Sequence, residues 1–267
     1  MTLKRGAMKR LLPLLYLMLV LPVSLYAEVS EKDFPFVHIN RSNSNISYDG
    51  ISRIFQDSRG FLWVGTFKGL NRYDGERFAV YDKNDFGVAS DFIHSIEEDA
   101  HGNVWIGTDR GVVIYDYAKD SFIPFNKLSD KGTVVCNKVN NIKRYGNKVW
   151  LTANHQGLFC YDLESDTLVN HFVKDGQQQL PQGIRRFVID SEETLWAGLY
   201  YNDIYMSTGT FDSLSVAHLS NGSFQNDNIE GLAVSREASN VIYAASVRKG
   251  LCTIDTKQST VKTLFFA

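Results

Sequence analysis

Asp57-Ser58-Arg59-Gly60-Phe61-Leu62-Trp63-Val64-Gly65-Thr66-Phe67-Lys68-Gly69-Leu70-Asn71-Arg72-Tyr73-Asp74 contains every feature of one β-hairpin. An Asp-x-x-Gly turn opens it: the carboxylate can cap its own backbone, and the glycine can take a positive φ. An apolar run centred on a tryptophan follows, then a short break ending in Gly69, then a second run closing on Tyr73-Asp74. Leu62, Trp63 and Val64 are apolar on both alternating sides, so this strand expects cover on both faces of its sheet. Gly65, two residues after the tryptophan, marks a place where a neighbouring element approaches too closely for a side chain.

The phrase returns. Asp99-Ala100-His101-Gly102, Asn103-Val104-Trp105-Ile106-Gly107-Thr108 and Gly111-Val112-Val113-Ile114-Tyr115-Asp116 repeat it almost residue for residue. A third copy keeps Val149-Trp150-Leu151-Thr152 and Gly157-Leu158-Phe159-Cys160-Tyr161-Asp162. A fourth keeps Leu195-Trp196-Ala197-Gly198 but puts Tyr200-Tyr201-Asn202-Asp203 where Gly-Leu is expected. A fifth has Ile242-Tyr243-Ala244-Ala245 and Gly250-Leu251-Cys252-Thr253-Ile254-Asp255. The four tryptophans lie 42, 45 and 46 residues apart, and Tyr243 follows 47 residues after the last. A period of this length is that of propeller blades.

Each repeat holds four short apolar or β-branched runs separated by Gly, Asp, Asn and Ser turns. In the first these are Ile51 to Gln56, Phe61 to Thr66, Leu70 to Tyr73 and Phe78 to Tyr81. Helical periodicity is missing beyond the first segment. The expected fold is therefore all-β, a β-propeller of four-stranded antiparallel blades spanning about 48–82, 90–126, 136–173, 182–219 and 227–267. Residues 34–40, with Phe36-Val37-His38-Ile39, read as an extra outer strand. Five repeats and a spare strand do not close a ring, so the chain is expected to be an incomplete part of a seven-bladed propeller. The end blades of such a piece would show apolar faces and self-associate.

The first 27 residues read as an export signal. Lys4, Arg5, Lys9 and Arg10 precede the apolar Leu11 to Leu25, and Ser24-Leu25-Tyr26-Ala27 offers a processing site before Glu28. An uncleaved anchor is the other reading, disfavoured because Pro13 and Pro22 interrupt a stretch already short for a span of about 20 residues. Met8 is an alternative start that still leaves Lys9 and Arg10. Losing four of the 28 basic residues and none of the 30 acidic ones moves the formal charge from −2 to about −6, which disfavours a nucleic-acid partner. Three cysteines in an exported chain allow one disulfide, but Cys160 and Cys252 lie in apolar runs and read as small buried hydrophobes.

Catalytic chemistry finds no foothold. The repeated carboxylates fall at the same turn each time and look structural rather than paired across a pocket. Asp57-x-x-Gly60-x-x-Trp63 is similar to the sialidase Asp-box, but its spacing differs by a residue and it lacks the initial serine. The histidines show no metal-ligand spacing, and no Gly-x-Ser-x-Gly elbow is present. No catalytic residue, metal or cofactor is expected. A ligand would meet the loops at one end of the blades. There Lys68, Arg110, Asn154, His155, Gln156, Tyr200, Tyr201 and Asn202 offer ring faces and amides for sugar, and cations for an acidic glycan. Ordinary polar loops are the rival reading for each.

Leu62 to Asp74, and the second copy opened by Val104, resemble the two-component regulator propeller repeat. The resemblance runs from Phe36 to about Phe266 and weakens in the fourth and fifth copies. It implies the periplasmic sensor of a hybrid two-component system, in which propellers precede an immunoglobulin-like domain, a membrane helix, a histidine kinase and often a response regulator. It also implies oligosaccharide detection, control of polysaccharide utilisation and a homodimeric full-length receptor. A protein-interaction scaffold and a glycan-cleaving enzyme remain the alternatives.

Overall fold

The computed structural model describes residues 37–265 apart from 89, 172–173, 176–177, 180–182, 208–212 and 221–223. The expected export segment lies outside the described residues. The chain divides into two compact units, 1–39 and 40–267, and the second holds all the sheets. Of the extra strand expected at 34–40, Val37 to Asn40 carry no strand and residues 34–36 lie outside the described residues. The physical reason is within the second unit: each of its sheets already has a fourth strand of its own.

Five antiparallel sheets follow one another in chain order, as the period demands. Sheet I is β1 (Ile51–Gln56), β2 (Leu62–Thr66), β3 (Gly69–Tyr73) and β4 (Phe78–Tyr81). Sheet II is β5 (Ile93–Glu98), β6 (Val104–Thr108), β7 (Gly111–Asp116) and β8 (Ser121–Pro124). Sheet III is β9 (Val139–Tyr145), β10 (Lys148–Ala153), β11 (Gly157–Asp162) and β12 (Thr167–His171). In sheet IV, β15 (Ile184–Ile189), β16 (Leu195–Leu199), β17 (Ile204–Ser207) and β18 (Ser213–Val216) form the blade. Two short strands, β13 (Lys174–Asp175) and β14 (Gln178–Gln179), extend it, β13 running parallel to β18. Sheet V is β19 (Ile229–Val234), β20 (Val241–Ser246), β21 (Gly250–Asp255) and β22 (Thr260–Phe265). The first strands of successive sheets touch, β1 to β5, β5 to β9, β9 to β15 and β15 to β19, which is how blades fan about an axis.

The repeated aspartate does more than cap a turn. Asp57 Oδ1 accepts from the backbone N–H groups of Arg59 and Phe61, at 3.0 and 2.9 Å, while Oδ2 accepts the indole N–H of Trp63 at 2.7 Å. Asp99 does the same for His101, Asn103 and Trp105, and Asp190 for Glu192, Thr194 and Trp196. One carboxylate thereby closes a hairpin and satisfies a ring nitrogen that would otherwise be buried without a partner. Gly60 and Gly102 adopt the expected positive φ of 94° and 80°; in the fourth copy Glu193 takes the position at 57°.

Each tryptophan faces the next sheet. Trp63 packs among Ile93, Val104, Ile106 and Tyr115 of sheet II, and Trp105 among Val139, Leu151 and Phe159 of sheet III. Trp150 packs against Phe187, Leu195 and Tyr205, and Trp196 against Ile229, Ile242 and Ile254. These four rings are at most 6% exposed, whereas Tyr243, at the same position of the fifth sheet, is 37% exposed. Ile54 at 67% and Val80 at 42% exposure lie on the opposite end face, that of sheet I.

The glycine two residues after the tryptophan has the expected role. A Cβ on Gly65 would lie 2.6 Å from Ile93 Cγ2, one on Gly107 2.9 Å from Val139 Cγ1, and one on Gly198 2.6 Å from Ile229 Cβ. The cysteines are free; Cys160 and Cys252 are buried in the inter-sheet cores and Cys136 is exposed.

Besides β13 and β14, a helical element among the described residues escaped the periodicity: a single turn, α1 (Lys83–Phe86), between β4 and β5. It is local. Asp82 and Asp85 form a reciprocal capping box, Gly87 at φ 67° ends the turn, and Phe86 plugs the core between sheets I and II.

Candidate functional site

In every sheet the turn joining the second and third strands lies at the end where the first strand begins, because Ile51 pairs with Thr66, Ile93 with Thr108 and Ile184 with Leu199. The loops leading into the next sheet reach the same end: Gly69 N–H donates to Asp91 O and Gly111 N–H to Asn137 O. The anticipated ligand residues therefore share one face of the molecule, although they differ in what their side chains can still do.

Lys68, Arg110, His155 and Tyr201 stand exposed at the turn tips, with His155 and Tyr201 at positive φ. Lys68 Nζ lies 5.2 Å over the Tyr48 ring. Gln156 is spent on architecture: its Oε1 accepts from Cys136 and Asn137 N–H groups, and its Nε2 donates to Val134 O at 2.8 Å. The Asn154 side chain accepts from Asn140 Nδ2 at 2.5 Å on its Oδ1, and its backbone carbonyl accepts from Asn137 Nδ2 at 2.9 Å. Asn202 caps Asp203 N–H, and the Tyr200 hydroxyl donates to Asn140 Oδ1 at 3.2 Å.

Two features of this face come from how side chains of several elements assemble. The first is a run of rings across the tops of sheets I and II. Phe67 stacks on Phe92 with centroids 4.6 Å apart, Phe92 on His94 at 4.4 Å, and Tyr48 tilts against Phe67 at 6.3 Å. Phe67 is 46% exposed, so the run presents a ring face to solvent. His94 closes the run by a 2.6 Å contact between Nε2 and Asp109 Oδ1. Burial lowers its pKa to about 4 and outweighs the carboxylate, because Asp109 is half in water; Lys138 and Arg53 push in the same direction as burial. At neutral pH the imidazole is uncharged and donates to Asp109.

The second feature is on the first strands. Each has a register irregularity at its beginning: Ile51/Arg53, Ile93/Ser95, Ile184/Arg186 and Ile229/Gly231, with the β9 equivalent opposite Thr152/Ala153. These bulges turn a first strand's unpaired edge toward its neighbours. Polar side chains then satisfy the edge. Ser95 Oγ accepts from Ile142 N–H at 2.9 Å, Asn140 Nδ2 donates to Ile184 O at 3.1 Å, and Asn141 Nδ2 to Phe187 O at 3.3 Å. Arg186 spans three sheets, donating to Asn140 O and Glu230 O, each at 3.0 Å. Arg185 pairs with Glu230 and lies 5.0 Å over the Tyr200 ring. The signal was in the sequence: every first strand opens Ile or Val followed by two residues that are polar or glycine, as in Ile51-Ser52-Arg53 and Ile184-Arg185-Arg186.

A further cleft of about 320 Å³ opens between the outer strands of sheets I and II, lined by Arg72, Tyr81, Asp85, Tyr115 and Asp120. Arg72 donates there to the Tyr115 hydroxyl at 2.7 Å, and that hydroxyl to Asp120. Among the described residues, no group of three or more His, Cys, Asp or Glu could hold a metal ion, and no helix is long and apolar enough to cross a membrane.

Residues 45–68 and 87–110 match the two component regulator propeller model, and these are the two copies in which the repeated phrase is most complete. No curated protein matches the chain. Among solved structures, the extracellular domain assigned to the one component system BT4673 of B. thetaiotaomicron superposes with a TM-score of 0.64 at 21% identity, over 82% of this chain and 28% of that one. A second structure of a BT4673 extracellular domain, assigned to a hybrid two component system, gives 0.54 at 20% identity, over 82% and 36%. PorZ, a surface component of the type-IX secretion system of Porphyromonas gingivalis, gives 0.55 at 16% identity, over 81% and 33%. These likenesses establish the propeller fold, and this chain spans about a third of the length of each.

Proposed function

We propose that this chain is a ligand-sensing propeller segment of an exported two-component signalling receptor, that it binds an oligosaccharide, and that it performs no catalysis itself. The observation that carries the reading is the coincidence of the two family matches with the sheets that bear the Tyr48–Phe67–Phe92–His94 run. Stacked rings with one exposed face suit the apolar face of a pyranose, and the Lys68 ammonium, 5.2 Å over the Tyr48 ring, suits its hydroxyls. The basic, apolar first segment supports export to the periplasm. The kinase, the remaining blades and a homodimeric receptor belong to the same reading, as does regulation of polysaccharide utilisation.

Calorimetry of the chain against a panel of neutral oligosaccharides, with chromatography of the sugar afterwards, tests it. We expect one binding class, intact sugar after incubation, and loss of binding in the Phe67→Ala/Phe92→Ala double variant. Cleaved sugar would point to an enzyme. Full affinity in the double variant would remove the rings from the site.

A further inference from the structure

The cleft of about 320 Å³ between the outer strands of sheets I and II carries opposite charges that do not pair with each other. Arg72 on β3 supplies the cation; Asp85 of α1 and Asp120 of the β7–β8 turn supply carboxylates. None of the three forms a salt bridge among the described residues. The Tyr115 hydroxyl stands between the charges, accepting from Arg72 Nη1 at 2.7 Å and donating to Asp120 Oδ1. Burial first, and then the bond to Asp120, push this phenol up to about 12, so at neutral pH it is an uncharged spacer.

Much of each charge is unused. A guanidinium has five N–H donors, and Arg72 engages Nη1 alone. Asp120 keeps Oδ2, and Asp85 spends Oδ2 on the Asp82 N–H at 2.8 Å and keeps Oδ1. The Tyr81 hydroxyl has no hydrogen-bond partner among the described residues. Rings hold the guanidinium in place, its ζ carbon lying 4.9 Å over Phe61 and 5.4 Å over Tyr115. The remaining wall is apolar: Tyr81 and Phe122 meet edge to face at 4.9 Å, and both are partly exposed.

A lone anion at Arg72 meets the field of two carboxylates, and a lone cation beside those carboxylates meets that of Arg72. A ligand that carries both charges close together answers each and suffers neither repulsion. The volume lies at the lower end of the about 300–1,000 Å³ of small-molecule sites, room for one small molecule rather than a chain. We propose that this cleft binds the zwitterion of a free α-amino acid with an apolar side chain: its carboxylate on the open N–H groups of Arg72, its ammonium on Asp120 and Asp85, and its side chain against Tyr81 and Phe122. A guanidinium fork takes a carboxylate in two parallel bonds. The ring run of Tyr48, Phe67, Phe92 and His94 shares no residue with this cleft, so the site stands independently of the saccharide reading.

Calorimetry with four probes tests it: L-leucine, leucinamide (which lacks the carboxylate), N-acetylleucine (which lacks the ammonium) and glucose. Each is measured on the native chain and on Asp120→Asn, Arg72→Gln and Ser121→Phe. Asp120 sits at φ 47°, a conformation that asparagine also takes, and Ser121 is exposed at the cleft, so neither of those two variants disturbs the core. Unfolding midpoints check this for all three. Leucine should bind, and each derivative should bind at least about tenfold more weakly. Asp120→Asn should lose about tenfold for leucine and nothing for N-acetylleucine, a split that a structural role would not produce. Ser121→Phe, which fills the cleft without removing a charge, should abolish leucine binding. Should Arg72→Gln fail to fold, the leucinamide comparison decides the carboxylate half by itself. A native chain that binds no leucine at millimolar concentration overturns the proposal, and so does equal binding of leucine and its two derivatives. Leucine affinity untouched by Asp120→Asn and Ser121→Phe would put the binding elsewhere and overturn it too. Glucose bound in a Ser121-dependent way, with no leucine bound, would make the cleft a polyol site and equally end the zwitterion reading.

Discussion

Replacing Asp99 by alanine removes the acceptor on which the second hairpin and its tryptophan both depend. Asp99 is 5% exposed and accepts His101 N–H at 2.8 Å, Asn103 N–H at 2.9 Å and the Trp105 indole N–H at 2.8 Å. The two backbone donors are near the surface and can turn to water, at about 0.5–1 kcal/mol each. The indole cannot, because Trp105 is 1% exposed, and a stranded donor costs about 1–3 kcal/mol. The sum is about 2–5 kcal/mol, a large part of an ordinary stability of about 5–15 kcal/mol. Asp99→Asn should cost nearly as much, since one of its two terminal groups must present N–H to the indole or to the turn. The deciding experiment is a double-mutant cycle with Trp105→Phe, followed by thermal and denaturant unfolding. Trp105→Phe removes the donor, so it should cost about 1–2 kcal/mol less in the Asp99→Ala background than in the native one. Equal costs in the two backgrounds would refute the clamp.

Gly65→Ala should destabilise by about 1–3 kcal/mol through contact with Ile93, whereas a Cβ at Gly60 meets nothing within 4 Å and any cost there comes from its φ of 94°; unfolding midpoints separate the two. His94 has a folded pKa of about 4, below its unfolded value near 6.5, so its contribution is full above pH 6.5 and is lost as pH falls toward 4. The loss is on the order of 3 kcal/mol, and His94→Gln should flatten that part of the stability–pH curve; an unchanged curve would locate the titration elsewhere. Gln156→Ala should lower stability by about 1–3 kcal/mol, through the loop carbonyl and N–H groups it holds. Tyr201→Ala, at 64% exposure, should weaken saccharide binding with little change in stability, and the opposite pattern would reverse the two roles. The exposed apolar residues of the end sheets, Ile54 and Val80 on one and Tyr243 on the other, should make the chain self-associate, and Ile54→Lys should shift gel-filtration elution toward monomer.

The blades were legible in the primary structure, because everything that specifies a blade is local. Asp57 and Trp63 are six residues apart, and their bond, the turn glycine and the alternating apolar run all fall within one hairpin that recurs with a fixed period. Even the contact across sheets at Gly65 was legible, since a missing side chain repeated at one position implies a repeated neighbour. The candidate site was legible only as a set of loops. The loops were placed at one end with Phe67 among them, while the engagement of Gln156 with loop backbone groups, the bond between the Asn140 and Asn154 side chains and the stacking of Phe92 and His94 onto Phe67 came from the structure. Those contacts depend on tertiary packing, because the ring run joins residues around two sheets and Arg186 reaches across three. Arg186 donates to carbonyls 46 residues before it and 44 after it. No local pattern records which side chains converge when sheets turn about an axis; packing of the tryptophan faces fixes that turn, and the charges then meet as its consequence.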